Sequence, residues 1–284
     1  MDGSKKRMVT SGLYKFQIID NTLFSIDKTE IYSRSFKIGG TYPGCVNISI
    51  IYENNKPVDA SMPIILSNPE CSFIRPLEKG DGAIIMIKTL LHYVYTQIPT
   101  LTHIKFDDKS NIECATEEEL KKGTYKPMPL YYFSILFNGQ TWFEKYFNAK
   151  QKDEVIHQQY RTRVTDFLYS PECKTNIRFD RFVSLFDKRE EEMTELYQYY
   201  NNANTFNDFV QSIPKQHRCR LVGSWIEQFM KFILKDVFYN ENWIIHFPLE
   251  MSGGNDKTPK YYCPKGIITN TFQSQNICIS PEDV

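Results

Sequence analysis

The 284-residue sequence predicts an α+β protein, with a mixed, mostly antiparallel sheet and helices over residues 1–150, a mainly helical region over 151–250 and an irregular arm over 251–284. Three patterns predict it. Apolar and polar residues alternate through the first 75 positions, a helical period begins just after Gly80-Asp81-Gly82, and that period dominates beyond Lys150.

Strand periodicity opens the chain in Leu13-Tyr14-Lys15-Phe16-Gln17-Ile18 and in Ile31 to Ile38. Two β-branched runs follow, Cys45 to Tyr52 and Ala60 to Leu66, and the polar Glu53-Asn54-Asn55-Lys56-Pro57 between them suits a hairpin turn. Ile84, Ile87, Leu91 and Val94 then recur at helical spacing, with Leu90 beside them, and this helix ends before Pro99. Leu101 to Phe106 reads as a strand, Asp107 to Pro129 as a polar excursion, and Leu130 to Phe137 as another strand. Asn138-Gly139 turns the chain into a short helix carrying Trp142, Phe143, Tyr146 and Phe147.

In the second half Phe179, Phe182, Val183 and Phe186 mark a helix, and Met193, Leu196, Tyr197 and Tyr200 mark its continuation. Leu221, Trp225, Ile226, Phe229, Ile233 and Val237 predict one long buried helix. From Met251 the glycines and prolines, without periodicity, predict a loop or extended arm.

Composition excludes several functions. The 34 basic and 34 acidic residues cancel, so the excess of Lys and Arg by which a nonspecific nucleic-acid binder displaces counterions is missing. The seven cysteines are scattered singly with no CxxC pair, which argues against a zinc cage or a disulfide framework and predicts reduced thiols. Met1 to Thr10 lacks the apolar segment of a signal peptide, and no stretch approaches the roughly 18 apolar residues of a membrane span. A reducing cytoplasm or nucleus is the expected setting.

The order of strand hairpin, strand, glycine turn, amphipathic helix, strand and short aromatic helix resembles that of the Gcn5-related N-acetyltransferase (GNAT) fold. Leu77-Glu78-Lys79-Gly80-Asp81-Gly82 stands where that family has its phosphate-binding turn, and Thr141-Trp142-Phe143-Glu144-Lys145-Tyr146-Phe147 resembles its last motif. The resemblance spans Val46 to Phe147. It implies a GNAT-like sheet and an acyl-coenzyme A dependent N-acetyltransferase, with acetyl-coenzyme A as cofactor and an amine as acceptor. Lys79, Gly80, Asp81 and Gly82 then bind the cofactor, because two glycines admit its pyrophosphate to the backbone and the following helix presents free amides to the anion. An amine attacks the thioester directly. Glu113 or Asp108 is the implied base, and Tyr146 the implied acid, since Phe143 stands where the family commonly has a tyrosine.

A second expectation comes from another class. Leu77 stands where the family has Gln or Arg, and with Phe143 this suits a catalytically inactive structural or interaction protein that keeps the fold and binds a protein partner. The block Asn138 to Phe147 also resembles uncharacterised proteins of large DNA viruses, which implies a host cytoplasm or virion context. The remaining polar groups have plainer readings: Asp107-Asp108 as a solvated strand end, His157 among polar residues, and Lys215, His217, Arg218 and Arg220 as a basic edge that opposes the helix dipole and so needs partners.

Overall fold

The computed structural model describes residues 4–24, 31–78, 80–112, 114, 127–177 and 190–249. Its architecture is α+β with a large, mostly antiparallel mixed sheet, and the chain divides into two compact units, Met1–Phe106 with Ile244–Val284, and Asp107–Trp243. No helix among the described residues is long and apolar enough to cross a membrane.

In the first unit the alternating stretches form strands β1 (Lys5–Ser11), β2 (Tyr14–Phe24), β3 (Ile31–Gly39), β4 (Val46–Glu53) and β5 (Lys56–Ile65). Each pairs antiparallel with the next. The β4–β5 turn sits where the polar segment predicts it: Asn54 and Asn55 adopt φ of 50° and 60°, the left-handed pair that a tight two-residue hairpin requires and that asparagine tolerates. Between Asn47↔Ile64 and Ser49↔Ser61 the register shifts, so β5 carries an extra residue near Pro63, whose missing N–H suits a bulge.

Helix α1 (Asp81–Gln97) then crosses to β6 (His103–Phe106), which runs parallel to β5. The strand Trp243–His246 lies beside β6, and just past it the Phe247 N–H donates to the Thr102 carbonyl. Phe16, Ile18, Phe36, Ile38, Ile48 and Ile50 on one face of the sheet are buried, as are Met86, Ile87, Leu90, Leu91 and Val94 of α1, which packs across β1 to β4. Burial of this size is the main stabilising term, at about 1.5–3 kcal/mol per fully buried large apolar side chain.

The second unit is mainly helical. A two-stranded ladder, β7 (Asn111–Ile112) and β8 (Met128–Pro129), precedes α2 (Leu130–Asn138), α3 (Trp142–Phe147), α4 (Glu154–Tyr169), α5 (Pro171–Ile177), α6 (Glu190–Asn201), α7 (Phe206–Ser212), α8 (Arg218–Val222) and α9 (Ile226–Ile233). Leu130 to Phe137 is thus a helix, not the expected strand. A short apolar run has no decisive period, and here Pro129 caps the start while Gly139, left-handed at φ 70°, stops the end.

The long helix expected from Leu221 to Val237 is instead two helices. The indole Nε1–H of Trp225 donates to the Leu221 carbonyl at 2.7 Å, and the Trp225 backbone N–H turns to Val222 at 3.1 Å. Those bonds close α8 early. Trp225 itself is fully buried, as the periodicity predicts, with the Phe229 ring 5.5 Å away and Phe206 stacked on Phe229 at 5.0 Å. The helix expected over Phe179 to Phe186 and the arm from Met251 lie outside the described residues.

Four cysteines correct the expectation of reduced thiols, forming the disulfides Cys45–Cys71 and Cys114–Cys219; Cys173 is free. The sequence separations of 26 and 105 residues give no local signal, because the pairs meet only once the chain has folded back. Gly223 belongs to the same event: a Cβ there would lie 2.7 Å from the Cys219 carbonyl oxygen and 3.3 Å from the Cys114 Cβ.

Two outcomes test this description. Trp225→Ala should cost about 3–5 kcal/mol and lower the melting temperature sharply, whereas an unchanged melt would mean the indole is not core. Alkylation of the denatured, unreduced chain should modify Cys173 and spare Cys45, Cys71, Cys114 and Cys219 until reductant is added. Each closed loop of such lengths contributes roughly 3–5 kcal/mol by the chain-entropy argument, so reduction should also lower the melting temperature.

Candidate functional site

The glycine turn lies in the first unit, at the start of α1. Gly80 is exposed with φ 86° and nothing within 4 Å of where a Cβ would stand, and no side chain caps the helix. The first amides of α1 therefore have the setting in which a helix N-terminus receives an anion. Asp81 is exposed in the first turn and adds a negative charge there. Gly82 does a different job. Its Cβ position is 3.0 Å from the Leu77 side chain and 3.2 Å from the Tyr14 hydroxyl, so it is buried packing and not an open cradle.

The approach to this turn is firmly held. Tyr42 N–H donates to Glu70 O, Phe73 N–H to Lys15 O and Leu77 N–H to Pro69 O, while the Cys45–Cys71 disulfide joins the loop to the start of β4. Arg75 and Glu78 form an exposed ion pair just ahead of the turn. Burial raises the pKa of Tyr14, and the negative charge of Glu78 adds to the shift.

Across the crossover, β5 and β6 are paired at a single position, Ser61↔Lys105. Beyond it Met62 to Ile65 have no ladder partner in β6, which itself ends at Phe106. Crevices at the carboxyl ends of parallel strands are where open α/β sheets accept ligands. Around the junction Ala60, Met62, Ile104 and Phe106 are buried, while Asp59, Ser61, His103 and Lys105 alternate with them and are half-exposed or exposed. Lys105 Nζ lies 2.5 Å from Asp59 Oδ1. No sequence motif marks this group, since Asp59 and Lys105 are 46 positions apart.

The other sequence-derived residues fall in the second unit. Asp108 is 2% exposed, with Oδ1 accepting from the Ser110 backbone N–H at 3.1 Å and from the Ser110 hydroxyl, and burial raises its pKa. The expected solvated strand end therefore holds for Asp107, which pairs with Lys109, and fails for Asp108, whose carboxylate closes a local turn. Tyr146 is half-buried on α3, its ring 5.5 Å from Trp142 and 5.0 Å from Lys145 Nζ. Glu113 and Lys79 lie outside the described residues.

Glu144, from the aromatic motif, is the centre of a buried network. It completes a capping box with Thr141, accepts from the Tyr160 hydroxyl at 2.7 Å and faces Arg161 at 3.4 Å. Burial raises its pKa against the opposing pull of the Thr141 amide and Arg161. The basic cluster is also engaged: Arg220 and His217 face Glu195, and the Arg218 guanidinium lies 4.3 Å over the Phe137 ring. No group of three or more metal-ligating side chains occurs among the described residues.

Comparison with known proteins finds no matching family model, no matching curated protein and no matching solved structure.

His157, expected among polar groups, packs instead against Tyr160 and Trp243, and its Nδ1 accepts from the Gln151 N–H at 3.3 Å. Burial, helped by the charges of Arg161 and Lys150, pushes its pKa from 6.5 down to about 4. Above pH 6.5 the ring is neutral in both folded and unfolded chains. Between pH 6.5 and about 4 the unfolded chain binds a proton that the folded one refuses, so stability falls as pH drops through that window. His157→Gln should flatten this fall, and a variant whose melting temperature tracks the wild type throughout would contradict it.

Proposed function

We propose that the chain is an acyl-coenzyme A dependent N-acyltransferase with a GNAT-like first unit. The observation that carries the reading is the β5–α1–β6 crossover: one parallel pair after an antiparallel meander, joined at Ser61↔Lys105, with an uncapped helix N-terminus following the carboxyl end of β5. An acyl thioester of coenzyme A suits each part. Its pyrophosphate fits the open backbone of Gly80 and the first amide of α1, at Asp81. Its pantetheine arm is a linear chain with two amides, and the unpaired side of Met62 to Ile65 offers backbone groups for them. The thioester supplies an activated acyl carbon, and the protein's part is to hold it beside an amine. Of the residues drawn from the resemblance, Gly80 and Asp81 are retained as cofactor contacts, and Gly82 supports the turn from inside.

A second reading, an interaction protein without catalysis, is favoured by exposed apolar side chains at the same end of the unit. Ile64 and Leu66 are 43% exposed, Phe73 is 40% and Ile74 is 68%. A cluster of that kind suits a protein partner.

Binding to the folded state raises stability by mass action, about 2.7 kcal/mol at a hundredfold excess over Kd. Coenzyme A at millimolar concentration should therefore raise the melting temperature, and Asp81→Asn should enlarge the shift by removing a like charge. A wild-type melt indifferent to coenzyme A would sink the enzyme reading and leave the interaction protein.

A further inference from the structure

We infer that β1 is a docking edge, which takes an extended acidic segment of a partner protein as an added antiparallel strand. The inference uses none of the residues assigned to the cofactor and stands whether or not the acyltransferase reading does.

β1 is the outermost strand of its sheet. It pairs with β2 at every position from Lys5↔Asp20 to Ser11↔Tyr14, and no strand lies on its other side among the described residues. In an antiparallel ladder alternate residues turn their N–H and C=O away from the partner, so about three residues of β1 hold them toward the open edge. Neither a proline nor a bulge, two devices that blunt an edge, interrupts β1. Such a row of backbone groups is a template for strand addition.

Side chains select the strand that is added. Lys5 and Lys6 are exposed, and Arg7 is half-buried with its guanidinium 5.8 Å from the Tyr93 ring. Asp20, which faces Lys5 across the ladder, is already held through both oxygens by Arg34, at 2.8 and 2.6 Å. The three cations therefore have no acid of their own among the described residues. Opposite charges across a ladder stabilise it and like charges destabilise it. An incoming strand thus needs acids opposite Lys5 to Arg7, and apolar or β-branched residues opposite Met8, which is 48% exposed, and half-buried Val9. Antiparallel pairing continues the meander and is the more stable per residue, which gives the order β-branched then acidic along the partner. A second copy does not meet this demand. Self-pairing centred on Met8 sets Lys5 against Ser11, Lys6 against Thr10 and Arg7 against Val9, so no cation gains an acid, and a slip toward Lys5 brings cations together. Edge lysines guard against self-association, and the same lysines suit an acidic strand.

A dye-labelled, end-capped peptide Thr-Val-Ile-Glu-Glu-Glu tests this on the full chain, with fluorescence anisotropy measuring its binding and hydrogen exchange read by mass spectrometry locating it. Binding should slow exchange over Lys5 to Ser11. Methylating the backbone nitrogens of the peptide keeps its charge and removes its donors, and should abolish binding, as should replacing its glutamates by lysines. Lys5→Glu combined with Lys6→Glu should weaken the acidic peptide roughly tenfold, because two attractive cross-strand pairs become repulsive. Both positions are exposed, so the melting temperature should stay near that of the wild type. Equal binding of the methylated peptide would mean a charged patch and not a strand edge, and overturns the proposal. So does an undiminished affinity in the double variant, or exchange over Lys5 to Ser11 that the peptide leaves unchanged. Exchange there that slows with protein concentration alone assigns the edge to a second copy and overturns the acidic partner.

Discussion

The first unit depends on one demand, that the apolar face of its meander be covered, and α1 is the element that covers it. Phe16, Ile18, Phe36, Ile38, Ile48 and Ile50 would otherwise face water, at a cost no surface interaction offsets. A single helix entering from β5 and leaving into β6 satisfies the demand, and parallel pairing follows, since a crossover returns the chain in the same direction. The N-terminus of α1 is then fixed by the loop that feeds it, which the Cys45–Cys71 disulfide and the backbone bonds from Tyr42 and Phe73 hold against the sheet. An uncapped helix N-terminus after the carboxyl end of β5 is a by-product of covering the core.

Position along the bulged β5 adds to this. The extra residue near Pro63 shifts the strand just past Ser61, where pairing with β6 ends. A bulge increases local twist. The same strand therefore keeps its antiparallel ladder with β4 at Ile64 and Ile65, where it has no ladder partner in β6.

Strands β2 to β6 and α1 were legible because they have a clean period or an obvious stop, such as Asn54-Asn55 or Pro99, whereas β1, which opens on Lys5, Lys6 and Arg7, and the four-residue strand Trp243–His246 were not read. Leu130 to Phe137 was not, for the run is apolar at almost every position and only Pro129 and Gly139 decide its state. The break at Trp225 was hidden for another reason: periodicity reports which side chains are buried, and Trp225 is buried either way, but the indole hydrogen bond that ends α8 leaves no trace in a pattern of apolar residues. In the candidate site the glycine turn could be read locally. Its two glycines could not be told apart, because only the packing of Leu77 and Tyr14 shows that Gly82 faces inward. Asp59 and Lys105 come together through sheet register, a property of the fold that no local spacing encodes.

The carboxylates most strongly affected by burial are poor guides to chemistry here. Asp108 and Glu144 have raised pKa values, the signature often sought in a general base, and both are shut away with internal donors. Each closes a structural device, a turn at Ser110 or a helix cap at Thr141, and a substrate proton has no route to an oxygen already holding a buried hydroxyl. Access separates the two uses of a perturbed group. A base must meet its proton within hydrogen-bond reach, so a buried acid whose bonds are complete is poorly placed for the task.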